Sequence, residues 1–156
     1  KVNFPPPPGA RILAGAYWMR EPPPGADLAL VYCGPVAAEA AAAHEAILED
    51  IPEAGLLAVT SPDLLYADWR SAAPGSLIDR LLAPLAHDAA LVTILDGHPA
   101  ALSWLGSVRG HRTYPLGVDH FGQSADVVDL YRLHGSDEDA ILNAVARACI
   151  ERRATR

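Results

Sequence analysis

Three short apolar runs, 27–33 (DLALVYC), 55–60 (GLLAVT) and 89–95 (AALVTIL), constrain this chain more than any other feature. Each is dominated by Leu, Val, Ile and Ala and closed by turn residues, Gly34-Pro35, Ser61-Pro62-Asp63 and Asp96-Gly97 respectively. A run that is apolar throughout, instead of alternating, has to be covered on both faces, as the strands of a parallel sheet are. Helical patterns fill the spaces between the runs. Segment 36–50 (VAAEAAAAHEAILED) is alanine-rich, lacks Gly and Pro, and places Val36, Ala40, Ala43, Ile47 and Leu48 on one stripe. Ser61-Pro62-Asp63 supplies a cap and a first-turn proline for a short helix through Leu64, Leu65, Tyr66 and Trp69.

The same reading continues to the end of the chain. Segment 76–82 is helical, with Leu77, Ile78, Leu81 and Leu82 facing inward, and 99–108 is helical through Ala101, Leu102, Leu105 and Val108. There Gly106 permits a close approach. Segment 112–118 (RTYPLGV) is a fourth strand, and Pro115 places it near a sheet edge or makes it start at the proline. Residues 10–21 open the domain as an extended segment carrying Ile12, Leu13, Tyr17 and Trp18. Helices over 126–134 and 136–153 close it, the last announced by Ser136-Asp137-Glu138-Asp139 at its dipole-positive end. Strands alternating with helices predict an α/β three-layer sandwich around a mostly parallel sheet of about five strands.

With 156 residues and 51% hydrophobic side chains, the chain can bury one sizeable core, and no compositional break divides it. The run Pro5-Pro6-Pro7-Pro8-Gly9 favours extended geometry and resembles an interdomain linker. The expected organisation is therefore a linker remnant over 1–9, a domain over 10–153 and a tail over 154–156, the chain being a fragment of a longer protein. A net charge of −7 and scattered basic residues exclude a concentrated nucleic-acid or anionic-membrane face. The arginines near the end, Arg147, Arg152, Arg153 and Arg156, read as the cationic end of a last helix. No apolar stretch approaches the roughly 20 residues that span a bilayer, and no signal peptide is visible. Cys33 and Cys149 match no metal or redox spacing and read as reduced, buried thiols, which fits a cytoplasmic location.

The polar residues with most chemical interest are Asp96, His98, Asp119 and His120, because both pairs follow predicted parallel strands, the edge where α/β ligands bind. A His and a carboxylate converging there would do acid–base work or hold a metal. The alternative is structural: Asp96-Gly97-His98-Pro99 also reads as a turn and helix start with local backbone hydrogen bonds. No activated nucleophile stands beside them. Ser61, Ser103 and Ser124 lie in no nucleophile-elbow pattern. His44 sits inside the alanine-rich helix, His134 precedes Gly135 at a helix end, and His87 and His111 lack partners at zinc spacing. The turn Cys33-Gly34-Pro35-Val36-Ala37 has one glycine where a phosphate-cradling loop needs several. Trp69 and Trp104 read as core or interface anchors.

Segment 55–70 (GLLAVTSPDLLYADWR), Asp96-Gly97-His98-Pro99, and Leu116-Gly117-Val118-Asp119-His120-Phe121-Gly122-Gln123-Ser124 together resemble the carboxy-terminal domain of transketolase-type thiamine enzymes. The likeness is greatest to the homodimeric E1 component of pyruvate dehydrogenase. Gly117, Asp119, Phe121, Gly122 and Ser124 match that family's G-x-D-x-F-G-x-S loop, and Gly135-Ser136-Asp137 matches the step into its last helix. The resemblance runs from about Gly15 to Ala148. It implies a domain that supports a homodimer and contacts the parent's other domains, with an acyltransferase subunit as a further partner. It also implies that thiamine diphosphate and Mg²⁺ belong to earlier domains of the parent, so this chain carries no catalytic, cofactor-binding or metal-binding residue of its own. The family's G-D-G motif with its asparagine pair is absent.

Physically, Gly117 and Gly122 permit tight or left-handed backbone, Phe121 can plug an apolar surface, and Ser124 can cap a helix starting near Ala125. Two alternatives remain open to this reading. One is the carboxy-terminal domain of a transketolase proper; the other is a stand-alone subunit-binding or regulatory module. A small hydrolase or lyase using Asp96 and His120 is the third function class considered.

Overall fold

The computed structural model describes residues 9–72, 74–120 and 124–154. In chain order these form α1 (Gly9–Leu13), β1 (Ala16–Arg20), β2 (Ala26–Cys33), α2 (Ala37–Ile47), β3 (Gly55–Val59), α3 (Pro62–Ala72) and α4 (Leu77–Leu82). They continue through β4 (Leu85–Leu95), α5 (Ala100–Ser103), α6 (Gly106–Arg109), β5 (Arg112–Leu116), α7 (Val127–Leu133) and α8 (Glu138–Ala154). The strands make one five-stranded sheet in the order β1-β3-β2-β4-β5. β2, β3, β4 and β5 run parallel, and β1 pairs with β3 antiparallel at one edge. The expected three-layer α/β architecture is the one observed.

The apolar runs alternate between two cores, as a pleated strand buried on both faces requires. In β2, Leu28 and Leu30 face α2 and α8, alongside Leu56 of β3 and Val92 and Ile94 of β4. Ala29 and Val31 face the other side, against Leu65 of α3, Ile78 and Leu82 of α4, and Leu102 and Leu105 around α5. The small residues at Ala40 and Ala43 let α2 pack closely, and the expected stripe of Val36, Ala40, Ala43 and Ile47 is buried, with Leu48 half-buried beside it. At the opposite end, Arg152 of α8, 14% exposed, pairs with Asp27 of β2 and with Asp88 of β4 at 2.9 Å. This arginine does more than complement a helix dipole, since it ties α8 to both central strands.

Several elements differ from the sequence expectation. Residues 10–21 are not extended throughout: α1 occupies the start, and the Thr60 hydroxyl donates to the Ile12 carbonyl at 2.7 Å, which satisfies a helix-end acceptor. β4 begins at Leu85 instead of 89: the exposed His87 and Asp88 interrupt its apolar run and fall at an irregularity in the register, but Leu85 pairs again with Ala26 of β2. Segment 99–108 is two short helices, α5 and α6. The break falls before Gly106, where a Cβ would lie 2.6 Å from the His111 carbonyl oxygen; close approach is the reason for glycine there. β5 is the edge strand that Pro115 implied, although it stops at Leu116. Cys33 and Cys149 are free thiols but only half-buried, and burial pushes both thiols up, away from reactive thiolate. No helix among the described residues is long and apolar enough to cross a membrane.

Leu30 is fully buried in the central strand, so Leu30→Ala deletes packing that neighbouring helices cannot recover. A loss of about 2–5 kcal/mol in unfolding free energy by urea titration is the expected result.

Candidate functional site

The connections set where a site can form. β2 leads through α2 to β3 on one face of the sheet, whereas β4 leads through α5 and α6 to β5 on the other. The carboxyl ends of β2 and β4 are therefore the topological switch point, where ligands bind in open α/β sheets. The loop after β2 is Gly34-Pro35-Val36, and the loop after β4 is Asp96-Gly97-His98-Pro99.

The structure brings two of the predicted loops into direct contact. The Val118 N–H donates to the Gly97 carbonyl at 2.8 Å. A Cβ on the buried Gly117 would stand 2.4 Å from that carbonyl oxygen and 3.1 Å from the Pro99 nitrogen. Gly117 is thus required by close backbone approach. It is absent from the described glycines with positive φ, so of the two expectations, tight or left-handed backbone, the first is the one seen here. The His98 ring accepts the Ala100 N–H at Nδ1, at 3.2 Å, so His98 serves as a local turn and helix-start residue. Asp96, Asp119 and His120 are exposed. Phe121 and Gly122 lie outside the described residues. Ser124 does not cap a helix at Ala125: it is exposed, α7 starts at Val127, and its N-cap residue is Asp126.

The edge is rich in carboxylates. Burial, and then the charges of Asp96 and Glu39, push the Tyr131 hydroxyl up. Glu39 accepts the Glu138 N–H at 3.0 Å and Asp137 accepts the Ala140 N–H at 3.2 Å, so two carboxylates already occupy the start of α8. Pro35 has no N–H to offer beside Gly34 in the turn after β2. A thiamine diphosphate needs N–H donors, cations or a metal held by carboxylates, and these residues do not fit it: the Glu138 and Ala140 N–H groups at the helix start are taken by carboxylates and the neighbouring charge is negative. Among the described residues, no three His, Cys, Asp or Glu side chains converge as a metal-binding group.

Two buried histidines stand apart from this edge. His44 is fully buried, and its Nε2 lies 2.9 Å from the Ala54 carbonyl. A carbonyl only accepts, so Nε2 carries the proton and Nδ1 is left a buried acceptor without a partner. The helical spacing Ala40-His44-Ile47 carried this signal, since it puts His44 on the apolar stripe. His111, also buried, has no hydrogen bond of good geometry at either ring nitrogen, although backbone groups of Ala89 and His87 lie against it. Burial lowers the pKa of both, with Arg109 and then His87 adding to the effect at His111. A further feature, an aromatic cluster of Tyr66, Trp69 and Trp104, joins α3 to the end of α5. The sequence marked Trp69 and Trp104 as anchors and Tyr66 and Trp69 as one helix, but not that the three rings meet.

No family model matches the chain, and no curated protein is similar to it at a significant level. Solved structures do match. A split-gene transketolase, described as an inactive β4 tetramer, superposes with a TM-score of 0.63 at 20% identity over 85% of this chain and 41% of its own. Transketolase from Campylobacter jejuni subsp. jejuni gives 0.66 at 15% identity, covering 94% of this chain and 20% of that one. Transketolase from Leishmania mexicana gives 0.67 at 19% identity, covering 92% and 19%. The chain therefore spans between about a fifth and two fifths of these proteins. At such identities the likeness establishes the fold, an α/β fold matching transketolase carboxy-terminal domains.

Gly117→Ala should cost about 1–3 kcal/mol, because its methyl group meets backbone and not a flexible side chain; unchanged thermal unfolding would contradict the close approach. The histidines make a pH prediction. Their folded-state pKa values lie below the unfolded value, so the unfolded chain binds more protons as pH falls below about 6.5. Stability should be flat above that point and fall beneath it, by at most about 1.4 kcal/mol per pH unit for each histidine. His44→Gln should flatten the slope in denaturant titrations at successive pH values.

Proposed function

We propose that this chain is the carboxy-terminal assembly domain of a thiamine-diphosphate-dependent 2-oxo acid dehydrogenase of the pyruvate dehydrogenase E1 type, without activity on its own. The observation that carries the proposal is the interlocked loop pair. Gly117, the first residue of the G-x-D-x-F-G-x-S pattern, packs against Gly97 and Pro99, and this contact leaves Asp96, Asp119 and His120 facing outward. A site for small-molecule chemistry would aim such side chains into an enclosed hollow with a nucleophile or metal. Here they decorate a surface. The likeness to transketolases supports the fold part of the reading, and the loop sequence supports the E1 part. The same fold likeness favours one second reading, the equivalent domain of a transketolase proper.

In this proposal the parent decarboxylates a 2-oxo acid and passes the acyl group to a lipoyl carrier. Its other domains hold thiamine diphosphate and Mg²⁺. The residues of this chain position and brace those domains within a cytoplasmic homodimer, and they offer a surface to an acyltransferase subunit.

Calorimetric titration of the chain with thiamine diphosphate and Mg²⁺ tests the division of labour. No heat of binding is the expected result, and saturable binding at micromolar ligand would overturn it. The E1 assignment has its own readout. When the chain is mixed with the separately expressed thiamine-binding domains of an E1 parent, a stable complex should form on gel filtration; Gly117→Ala should weaken it.

A further inference from the structure

The amino-terminal end of the parallel strands, opposite the Gly97 and Gly117 loops, holds a hollow of about 230 Å³ between α8 and the connection from α2 to β3. Its inner wall is apolar. Leu28 and Ala90, register partners on β2 and β4, and Ala148 of α8 are each at most 4% exposed. Alanine at 90 and at 148 leaves the space open, since side chains that small do not fill the gap between sheet and helix. Half-buried Ile51 adds a further apolar contact. Among the described residues no aromatic ring lines the hollow, and its volume is below the roughly 300–1,000 Å³ of pockets that take drug-sized ligands. It suits a small molecule with an aliphatic part.

The rim carries opposite charges from two elements. Asp50 and Glu53 stand on the turn before β3, and Arg153 stands near the end of α8. Among the described residues none of these three forms an ion pair. The other two arginines of α8 are matched, Arg147 to Glu151 at 3.9 Å and Arg152 to Asp27 and Asp88. The Asp27 and Arg152 pair also lines the hollow and adds no net charge to its rim. The acidic turn is held in place: the Asp50 and Ile51 N–H groups donate to the Ile47 carbonyl at 3.1 and 2.7 Å, and the Ala54 N–H donates to the Ile51 carbonyl at 3.1 Å. Opposite charges fixed on one rim without pairing each other fit a ligand that carries both, and a preformed rim spares the cost of ordering it. We propose that this hollow binds a free aliphatic α-amino acid, with its ammonium group on Asp50 and Glu53, its carboxylate on Arg153 and its side chain against Leu28, Ala90 and Ala148. The site shares no residue with the carboxyl edge, and the proposal is independent of the parent enzyme's identity.

The test is titration of the ¹⁵N-labelled full chain with L-leucine, isocaproate and isoamylamine at millimolar concentration. Leucine should shift the amide signals of Ile51, Glu53 and Cys149 saturably, while those of Gly97 and Val118 at the other end of the sheet stay in place. Isocaproate lacks the ammonium group and isoamylamine the carboxylate; each should bind about tenfold more weakly than leucine, as the loss of one charge-assisted hydrogen bond predicts. Arg153→Gln, a substitution at an exposed position, should weaken leucine about tenfold and leave isoamylamine unchanged. Glu53→Gln should weaken leucine and isoamylamine and spare isocaproate. The thiols give a second readout, since Cys149 lines the hollow and Cys33 ends β2 on the far side of the sheet. Leucine should slow alkylation of Cys149 by iodoacetamide and leave that of Cys33 unchanged. The absence of saturable shifts, equal binding of leucine and its two singly charged relatives, or undiminished leucine binding by the Arg153→Gln chain would each overturn the proposal.

Discussion

The structure depends on burying β2 on both faces while it is paired on both sides. Leu28, Leu30, Ala29 and Val31 are each at most 2% exposed, and the strand's backbone bonds β3 on one side and β4 on the other. A strand in that position has no solvent-facing side on which to place polar residues, which is why its sequence is apolar almost throughout. It also forces a helix layer onto each face. α2 and α8 cover one face and α3 to α6 the other, so the chain has to cross the sheet between β3 and β4. The crossing creates the switch point at the carboxyl ends of β2 and β4. The location of the candidate edge therefore follows from the burial of one strand.

That edge is built for contact between backbones. The Gly97 carbonyl is both the acceptor for the Val118 N–H and the atom nearest to the missing Cβ of Gly117. Helix starts are the usual anion sites of such folds, but here the start of α8 is filled by Glu39 and Asp137. With the Glu138 and Ala140 N–H groups bonded to carboxylates, this edge disfavours a phosphate ligand electrostatically. The proposed assembly role agrees with that balance: loops locked to each other present a surface of fixed shape, which suits docking better than catalysis.

The layers were legible because their signals are local. Composition marks β2, β3 and the inner part of β4, and the helical stripe through Val36, Ala40, Ala43 and Ile47 marks α2. What sequence reading missed depends on contacts distant along the chain. The first residues of β4 are polar at His87 and Asp88, and only the pairing of Leu85 with Ala26 extends the strand to include them. The antiparallel direction of β1 is set by its partner β3, not by its own residues. The break between α5 and α6 falls where Gly106 meets the His111 carbonyl oxygen, a contact no spacing rule within 99–108 reveals. At the edge, the glycine-rich pattern picked out Gly117 as a place for tight backbone but could not name what comes close. Its role lies in the approach of Gly97, twenty positions earlier.

α7 shows why the edge and the assembly reading belong together. It has seven residues, none of them buried, and Val127, Val128 and Leu133 are each more than 60% exposed. A helix that short gains too little from its own hydrogen bonds to persist in water, so tertiary contact has to hold it. Half-buried Tyr131 supplies part of that contact: its side chain packs on the core beneath α2, and its carbonyl accepts the Ser136 N–H at 2.9 Å. The aliphatic side chains of Val127, Val128 and Leu133 are exposed on different sides of the helix. Three exposed aliphatic side chains on one marginal helix are costly for a surface that meets only water, and useful for one that meets another domain. A partner covering Val127, Val128 and Leu133 would stabilise α7 directly, and through the Tyr131 carbonyl it would also steady the approach to α8.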